Sequence, residues 1–250
     1  ERDHMTPFKA YHGTFSAKPT TKGLIAIVMV DFALSDITAK DAILNLPSEI
    51  SFVASPYAGG LQEKITNARS YGHEIWMHIP IEGANFGNDD SGPVTLLTGL
   101  KKENNILRLK SILGRATGYS GVIMTEAPNF SSSPENLTAI FGEIAQRGLG
   151  YTQADSNDTT TATLAASLNI PHALSNIWID TSHDKADFEA SFQKLENIAL
   201  SHKVAIGFVH ASPAIFPLIN NWKTSLTDKN IELAPLSFTT RTTEVAPPLK

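Results

Sequence analysis

The chain has 250 residues, of which 42% are hydrophobic and 18% charged, a balance that is typical of a folded globular domain and not of a disordered or repeat protein. Its formal net charge is −5 and its 20 Lys and Arg residues are scattered along the sequence, so a surface that binds nucleic-acid phosphates is not expected. The sequence has no cysteine, which excludes disulfides, thiolate zinc sites and cysteine nucleophiles, and no apolar stretch reaches the roughly 18 residues of a membrane span.

The first residues predict an arm outside the folded domain. Residues 1–22 contain Pro and Thr but few aliphatic side chains, which indicates an extended N-terminal segment. The folded domain is expected to span residues 23–240, followed by a flexible tail at 241–250. The start of the sequence lacks the pattern of a signal peptide, but the chain opens on Glu1, so an anchor upstream of this sequence stays open as an expectation.

Short apolar segments with β-rich composition alternate with longer segments of helical period. The strand candidates are residues 24–30, 50–54, 74–79, 121–124, 177–179, 204–209 and 232–236. This alternation is typical of a parallel sheet in an α/β fold, and about seven units favour a barrel over a short Rossmann sheet. A Gly-x-Gly-x-x-Gly or Walker motif does not follow any of these segments, which disfavours a dinucleotide or nucleoside triphosphate as ligand.

Polar side chains end several predicted strands, where barrels of parallel strands place their active sites. Asp31 directly follows the apolar residues 24–30. Other polar residues at or just after strand ends are His78, Glu82, Thr125, Glu126, Asp180 and His210. The candidate catalytic residues among these groups are Asp31, Glu82, Asp180 and His210. We expect them to converge at one edge of the sheet.

These candidate site residues also have structural interpretations. Asp31 suits a cap for the turn or helix after the first strand, and His78 suits a hydrogen-bonded place in the core. Glu82 and Asp180 are of the kind that stay solvated or pair with a nearby cation. His210 suits either a core position or the orientation of another polar group.

Two other hydrolase classes would require other active-site residues. A serine hydrolase is disfavoured because the sequence contains no Gly-x-Ser-x-Gly elbow. A glycosidase needs two carboxylates about 5 to 10 Å apart, and Asp31 with Asp180 or Glu82 stays open as such a pair. Trp76 and Trp178 offer faces for stacking on a sugar ring, although their mid-strand positions favour core packing.

Four segments form an ordered set of motifs. They are Gly72-His73-Glu74, His78-Ile79-Pro80-Ile81-Glu82, the sequence NDDSGPVTLL at 88–97, and GYSGV at 118–122. In this order they resemble the divergent polysaccharide deacetylase family, within the NodB-like carbohydrate deacetylase superfamily. The likeness covers about residues 24–238, and the segment at 88–97 resembles an alphaproteobacterial branch of the family. It implies a distorted β/α barrel of about seven parallel strands.

The resemblance also implies hydrolysis of an N-acetyl or O-acetyl group on a polysaccharide, assisted by Zn²⁺ or Mn²⁺ held by one Asp and two His residues. Asp31 and His78 match two ligand positions, whereas Val30 stands where the family carries its catalytic base. Thr125 stands where the third ligand, a histidine, belongs, and it is a poor ligand for such an ion. A rebuilt metal site would therefore use Asp31, His78 and Glu126.

The family's aspartate after the fifth strand is matched by Gln153, with Asp155 two residues further on. Asp155 and Thr125 are the candidate substrate-binding residues. The family's substrates imply a periplasmic or exported protein. The departures at Val30, Thr125 and Gln153 favour a degraded site that binds a peptidoglycan-type or other polysaccharide, or an envelope protein, with little or no hydrolysis. An active metal-dependent deacetylase with rearranged ligands, and an envelope scaffold without glycan affinity, stay open as alternatives.

Overall fold

The structure is a computed structural model that describes residues 5–83, 92–125, 130, 132–154, 159–179 and 185–242. Nine strands lie in these residues: β1 Gly23–Val30, β2 Ser51–Ala54, β3 Ile75–His78, β4 Gly121–Met124, β5 Gly150–Gln153, β6 His172–Leu174, β7 Ile177–Ile179, β8 Val204–His210 and β9 Ile231–Leu233. They form one sheet in the order β6-β5-β4-β3-β2-β1-β8-β7, and β9 also pairs with β1.

All pairings between these strands are parallel, which confirms the predicted α/β fold with a distorted barrel-like sheet. The sheet forks at β1. Its first residues, Gly23 to Ile25, lie beside β9, whereas Val28 and Met29 lie beside β2. On its other side, β8 follows β1 from Leu24 to Val30. The strands β5 and β6 were not among the seven strand candidates, so the structure has more strands than predicted.

Helices connect the strands and cover the outside of the sheet. The helices of the described residues are α1 Pro7–Tyr11, α2 Asp36–Asn45, α3 Leu61–Ser70, α4 Lys102–Leu113, α5 Pro134–Gln146, α6 Thr160–Ser167, α7 Lys185–His202 and α8 Phe216–Leu226. Short 3-10 turns follow at Thr227–Lys229 and Leu236–Thr239. The predicted apolar face of α3 is confirmed, because Leu61, Ile65 and Ala68 are its buried residues.

The curled sheet has an outer and an inner face, and both are apolar. Ile25, Ile27 and Met29 of β1 belong to the core between sheet and helices. The alternate residues pack on the inner face, whose buried members include Ala26, Val28, Val30, Val53, Trp76, Ile123 and Phe208. A strand buried on both faces needs a continuous apolar sequence, and this accounts for the long apolar segment before Asp31.

The two ends of the sheet, β6 and β7, are consecutive in the chain, and the residues between them bridge the gap. The Ser175 amide donates to the Gln153 carbonyl at 3.0 Å, on the β5 side. The Asn176 amide donates to the Ile206 carbonyl at 2.8 Å, and its side-chain oxygen accepts from the Ile206 amide at 2.7 Å. This connection therefore ties β5 to β8 across the seam of the barrel.

The predicted N-terminal arm contains α1, and it packs under the strand starts. Phe8 packs edge-on against Trp76, with ring centroids 6.4 Å apart, and its amide donates to the Gly148 carbonyl. The amide of Gly13 donates to the Glu74 carboxylate at 2.7 Å. The arm thus closes the end of the barrel opposite the strand ends that carry the polar candidates.

Within the described residues, the structure has no helix with the length and apolar character needed to cross a bilayer.

Candidate functional site

The inner face of the sheet directs several of the predicted polar residues toward the C-terminal edge of the strands. Side chains alternate along a strand, so His78 shares the inner face with Trp76, and His210 shares it with Phe208. Thr125 follows the end of β4 and lines a small cavity with Met124 and Gln153, on the side of the helix layer. Because β1 and β8 are in register, with Val30 opposite His210, the residue after Val30 lies next to that histidine.

Asp31 and His210 form a hydrogen-bonded pair at this edge. The Nδ1 atom of His210 and the Oδ2 atom of Asp31 are 2.8 Å apart, and the side chains are 57% and 47% exposed. The hydrogen bond to Asp31 raises the pKa of His210, partly offset by burial. The same hydrogen bond lowers the pKa of Asp31, with smaller favourable contributions from the charges of His210 and His78. The pair is therefore a charge-assisted contact open to solvent.

The turn that carries Asp31 explains its orientation. Asp31 has φ 61°, a left-handed conformation that Asp tolerates better than most residues, and the Leu34 amide donates back to its carbonyl at 3.2 Å. The cap of α2 is Ser35, whose hydroxyl accepts from the Thr38 amide. The capping interpretation of Asp31 is therefore wrong for this helix.

Lys64 of α3 fastens the same turn. Its ammonium group donates to the Ala33 carbonyl at 2.8 Å and lies 2.6 Å from the Asp36 carboxylate. The lysine side chain is only 13% exposed, so these contacts are partly shielded from water. The sequence contains no local signal for this contact, since Lys64 belongs to a different helix.

His78 is held inside the sheet as a neutral imidazole. Burial lowers its pKa to about 4, although the negative charge of Asp31 acts in the opposite direction. Its Nε2 atom is shielded from solvent and has no hydrogen-bond partner among the described residues. The interpretation of His78 as a satisfied core histidine is therefore wrong for the described part of the chain. A buried polar atom of this kind is costly unless a partner satisfies it.

Trp178 packs directly on the imidazole of His210. The two rings are stacked, with centroids 5.2 Å apart and an interplanar angle of 22°. Its indole N–H donates to the Ala154 carbonyl at 2.8 Å, and its ring also contacts Phe208 at 5.5 Å. The mid-strand position had favoured core packing, but this side chain also contacts the Asp31–His210 pair.

Glu82 makes a different set of contacts. Its carboxylate accepts from the Thr98 amide at 2.7 Å and from the Thr98 hydroxyl at 2.8 and 2.9 Å. The Glu82 amide donates to the Leu96 carbonyl at 2.9 Å. These contacts join the segment after β3 to the segment before α4, and they supply a structural role for this carboxylate.

Gln153 points away from the inner face. Its side-chain oxygen accepts hydrogen bonds from the hydroxyl of Tyr151, at 3.1 Å, and from that of Thr161 on α6. Ala154, the next residue, belongs to the inner face. The position that the resemblance pairs with a family aspartate therefore binds the helix layer in this chain.

Three predicted site residues, Glu126, Asp155 and Asp180, lie outside the described residues. The described ranges contain no group of three or more His, Asp or Glu side chains with the geometry to hold a metal ion. Asp31 and His78 are the predicted ligands that the structure describes, and they interact electrostatically. The third predicted ligand, Glu126, stays a prediction.

Comparisons with known proteins show the family of this chain. A model of the family described as divergent polysaccharide deacetylase matches residues 27–239. YibQ of Escherichia coli K12 is 22% identical over 216 residues, which cover 84% of this chain and 67% of YibQ. An uncharacterised protein of Haemophilus influenzae Rd is 22% identical over 209 residues, which cover 83% of this chain and 73% of that protein.

The fold is also similar to a solved structure. The crystal structure of the uncharacterised protein ATU2773 from Agrobacterium tumefaciens C58 superposes with a TM-score of 0.88 at 26% identity. The similarity covers 96% of this chain and 97% of that one. The whole described architecture, from the arm to the last strand, is therefore shared with that protein.

Proposed function

The chain belongs to the divergent polysaccharide deacetylase family, and we propose that it binds an envelope glycan at the C-terminal edge of its sheet with little or no hydrolysis. The family name implies a polysaccharide as the partner. The expected setting is the bacterial envelope, outside the cytoplasm. The ligand class that follows is a peptidoglycan-type or chitin-type oligosaccharide, whose many hydroxyl and amide groups need donors and acceptors.

The observation that carries this proposal is the exposed Asp31–His210 pair. It lies where parallel β/α folds place their ligand-binding groups, and about half of each side chain is open to solvent. The carboxylate accepts hydrogen bonds from sugar hydroxyls, and the imidazole supplies a donor or acceptor at its second nitrogen. The hydrogen bond brings the carboxylate and the imidazole together, so a ligand meets two polar groups at one place.

The expected weakness of hydrolysis rests on what surrounds the pair. Val30, at the position where the resemblance puts the catalytic base, is a buried apolar residue of the inner face. A valine neither accepts a proton nor orients a water molecule. The Asp31 carboxylate is already bound to His210, and the Glu82 carboxylate to Thr98. The described carboxylates near this edge are therefore engaged in other contacts.

The described residues supply only part of the ligand set that a divalent metal needs at this site. Asp31 and His78 have the chemistry of ligands, and the buried Nε2 atom of His78 lacks a protein partner there. A site of this type usually has at least three protein ligands, and these two do not complete one. When bound, such an ion polarises an acyl carbonyl and activates water.

The second candidate function is an active deacetylase with rearranged ligands. The unsatisfied Nε2 atom of His78 favours it, because a metal would remove the cost of leaving this atom without a partner. In that case Glu126 is the expected third ligand. The two candidates differ in metal content, so they can be separated directly.

The test measures metal content and glycan affinity on the same preparations. Wild-type protein, Asp31→Ala and His78→Ala are analysed by plasma mass spectrometry after purification without chelators. Binding of chitin oligomers and of peptidoglycan fragments is measured by isothermal titration calorimetry, with His202→Ala as a control for an exposed histidine at the end of α7. Released acetate is followed in parallel.

The proposal expects substoichiometric metal, little acetate, and glycan binding that weakens in Asp31→Ala but persists in His202→Ala. Stoichiometric metal that disappears in both site variants, with acetate release, would overturn it in favour of the active deacetylase. If no glycan binds but an envelope protein is retained in pull-downs, the domain is a scaffold and the glycan proposal is wrong.

A further inference from the structure

We propose that Trp178 is the positioning residue of the Asp31–His210 pair, so that this edge-strand indole fixes the imidazole that Asp31 and the ligand contact. The consequence for glycan affinity rests on the function proposed above. The structural part of the inference does not, because it concerns contacts within this chain alone.

The indole contacts the residue after β5 and two residues of β8 at the seam of the barrel. Its N–H group donates to the carbonyl of Ala154, directly after β5. One ring contact is with Phe208 in the middle of β8, tilted by 51° at 5.5 Å. The other is the stacked contact with His210, the last residue of β8. Trp178 itself lies on β7, an end strand of the sheet.

His210 needs such a support because of its position. It is the last residue of its strand and its side chain is 57% exposed, so backbone pairing alone does not select one orientation of the ring. Its contact with Asp31 fixes one nitrogen, but rotation of the side chain breaks that bond at little cost at an exposed site. A flat indole parallel to the imidazole removes that freedom on one face.

The support is itself anchored. The hydrogen bond to Ala154 fixes the direction of the indole plane, and Phe208 restricts its tilt. The resulting chain of contacts runs from Ala154 through Trp178 and His210 to Asp31, and so joins the ends of β5, β7, β8 and β1. A stack between an aromatic face and an imidazole also stays attractive when the imidazole carries a positive charge.

The substitution Trp178→Leu removes both the stacking face and the N–H group. We expect it to weaken glycan binding about three- to tenfold, the scale of a lost aromatic contact. Trp178→Phe keeps a ring against His210 but lacks the donor to Ala154, so we expect it to restore most of the affinity. Trp222→Phe is the matched control, since this indole stacks on Phe192 and donates to Glu196 in the helix layer.

The decisive readout is independent of any ligand. In ¹H–¹³C spectra of the histidine rings, a stacked indole shifts the His210 protons upfield relative to the exposed His202, and His210→Gln identifies the resonances. We expect this shift and indole–imidazole Overhauser contacts in the wild-type protein. The shift should disappear in Trp178→Leu, stay partly in Trp178→Phe, and be unchanged in Trp222→Phe.

The spectra test the positioning role of Trp178 separately from the proposed glycan binding. Wild-type protein without the ring-current shift, or a folded Trp178→Leu variant that keeps the wild-type shift, overturns the positioning role. If Trp178→Leu does not fold, the wild-type spectrum and the Trp178→Phe spectrum still test the positioning role. A folded Trp178→Phe variant without any ring-current shift at His210 contradicts that role. A wild-type protein that shows the shift but binds no glycan refutes the proposed function and leaves the positioning role intact.

Discussion

The imidazole of His78 shows at the residue scale how burial sets the chemistry of this edge. Its pKa lies at about 4, below the ordinary value of 6.5, because burial penalises the charged form more than Asp31 favours it. His210, on the neighbouring side of Asp31, has its pKa raised by the hydrogen bond to the carboxylate. The pKa values of the two histidines near this carboxylate are therefore shifted in opposite directions, because burial dominates at His78 and the hydrogen bond to Asp31 dominates at His210.

His78 makes stability depend on pH in a defined window. Between pH 6.5 and about 4 the unfolded chain binds a proton at this residue and the folded protein does not, so acidification favours unfolding. We expect the free energy of unfolding to rise with pH across this window, by up to about 3 kcal/mol from this residue. In His78→Leu, urea titrations at a series of pH values in EDTA should show a smaller slope.

The control for this prediction is His202→Leu, which replaces an exposed histidine at the end of α7. Its pH slope should match that of the wild-type protein. Equal slopes in His78→Leu and the wild type would show that His78 is not kept neutral by the fold.

At the element scale, strands β3, β4 and β5 fit together because large and small residues alternate around Trp76. A Cβ atom at Gly121, the first residue of β4, would collide with the Trp76 ring and lie 2.6 Å from the Gly150 carbonyl oxygen. A Cβ atom at Gly150 would collide with the rings of Phe8 and Trp76. The glycines at the strand starts therefore make room for the aromatic side chains that fill the lower end of the barrel.

We expect Gly121→Ala to destabilise the protein by roughly 2 kcal/mol or more, because the added methyl group meets a buried ring and a backbone oxygen that cannot move freely. The measurement is the midpoint of urea unfolding. Gly142→Ala on α5 is the matched control, since its added Cβ meets no atom within 4 Å.

The control should stabilise the protein by up to about 1 kcal/mol, because alanine has the higher helix propensity at an exposed helical position. An unfolding midpoint in Gly121→Ala equal to that of the wild type would contradict the proposed packing of Trp76 against β4.

For the whole molecule, the buried carboxylate of Glu74 joins segments that are distant in sequence. It accepts hydrogen bonds from the Gly13 amide at 2.7 Å and from the Ser237 amide at 3.1 Å. The Trp76 indole and the Ser51 hydroxyl donate to it as well. The N-terminal arm, two strands of the sheet and the last 3-10 turn therefore share one acceptor at the lower end of the barrel.

Replacing Glu74 with Leu leaves these buried donors without their acceptor, at a cost of about 1–3 kcal/mol for each unsatisfied group. We expect a loss of several kcal/mol, and increased hydrogen exchange at the amides of Gly13 and Ser237. Thermal unfolding and exchange followed by mass spectrometry measure the two effects.

Glu135→Ala serves as the control. Its side chain is 73% exposed and pairs with Lys102 at the surface, so its removal should change stability by less than about 1 kcal/mol. Equal stability losses in the two variants would refute the role of Glu74 in joining the arm to the barrel.

The extent of sequence-based prediction differs between elements for identifiable reasons. β1 was predicted because a strand buried on both faces has an uninterrupted apolar sequence. β5, with the sequence Gly-Tyr-Thr-Gln, was missed because its burial depends on helices, such as the contact between Tyr151 and Phe141 at 4.7 Å. β6 has only three residues and begins with a histidine, so it lacks a strand pattern of its own.

The candidate site, like the strands, was only partly predictable from the sequence. The polar residues at strand ends were predictable, because parallel strands bring their carboxyl ends to one edge. The hydrogen-bond partner of each polar residue was not predictable from the sequence. Asp31 and His210 are 179 positions apart, and only the register of β1 with β8 places them together. Glu82 was predicted to be catalytic from its position, but its side chain binds Thr98. Gln153, which matches a family aspartate in position, binds Thr161 of the helix layer.

The sequence by itself determined the parallel α/β architecture, the family and the edge of the sheet that carries polar groups, since these depend on local composition and on the order of motifs along the chain. Only the tertiary structure decided that Asp31 faces His210, that Trp178 covers this imidazole and that His78 stays neutral. The physical reason is that hydrogen bonding, stacking and desolvation act over a few ångströms in space. They are set by register and by closure of the barrel across its seam, which the local sequence around each residue does not contain.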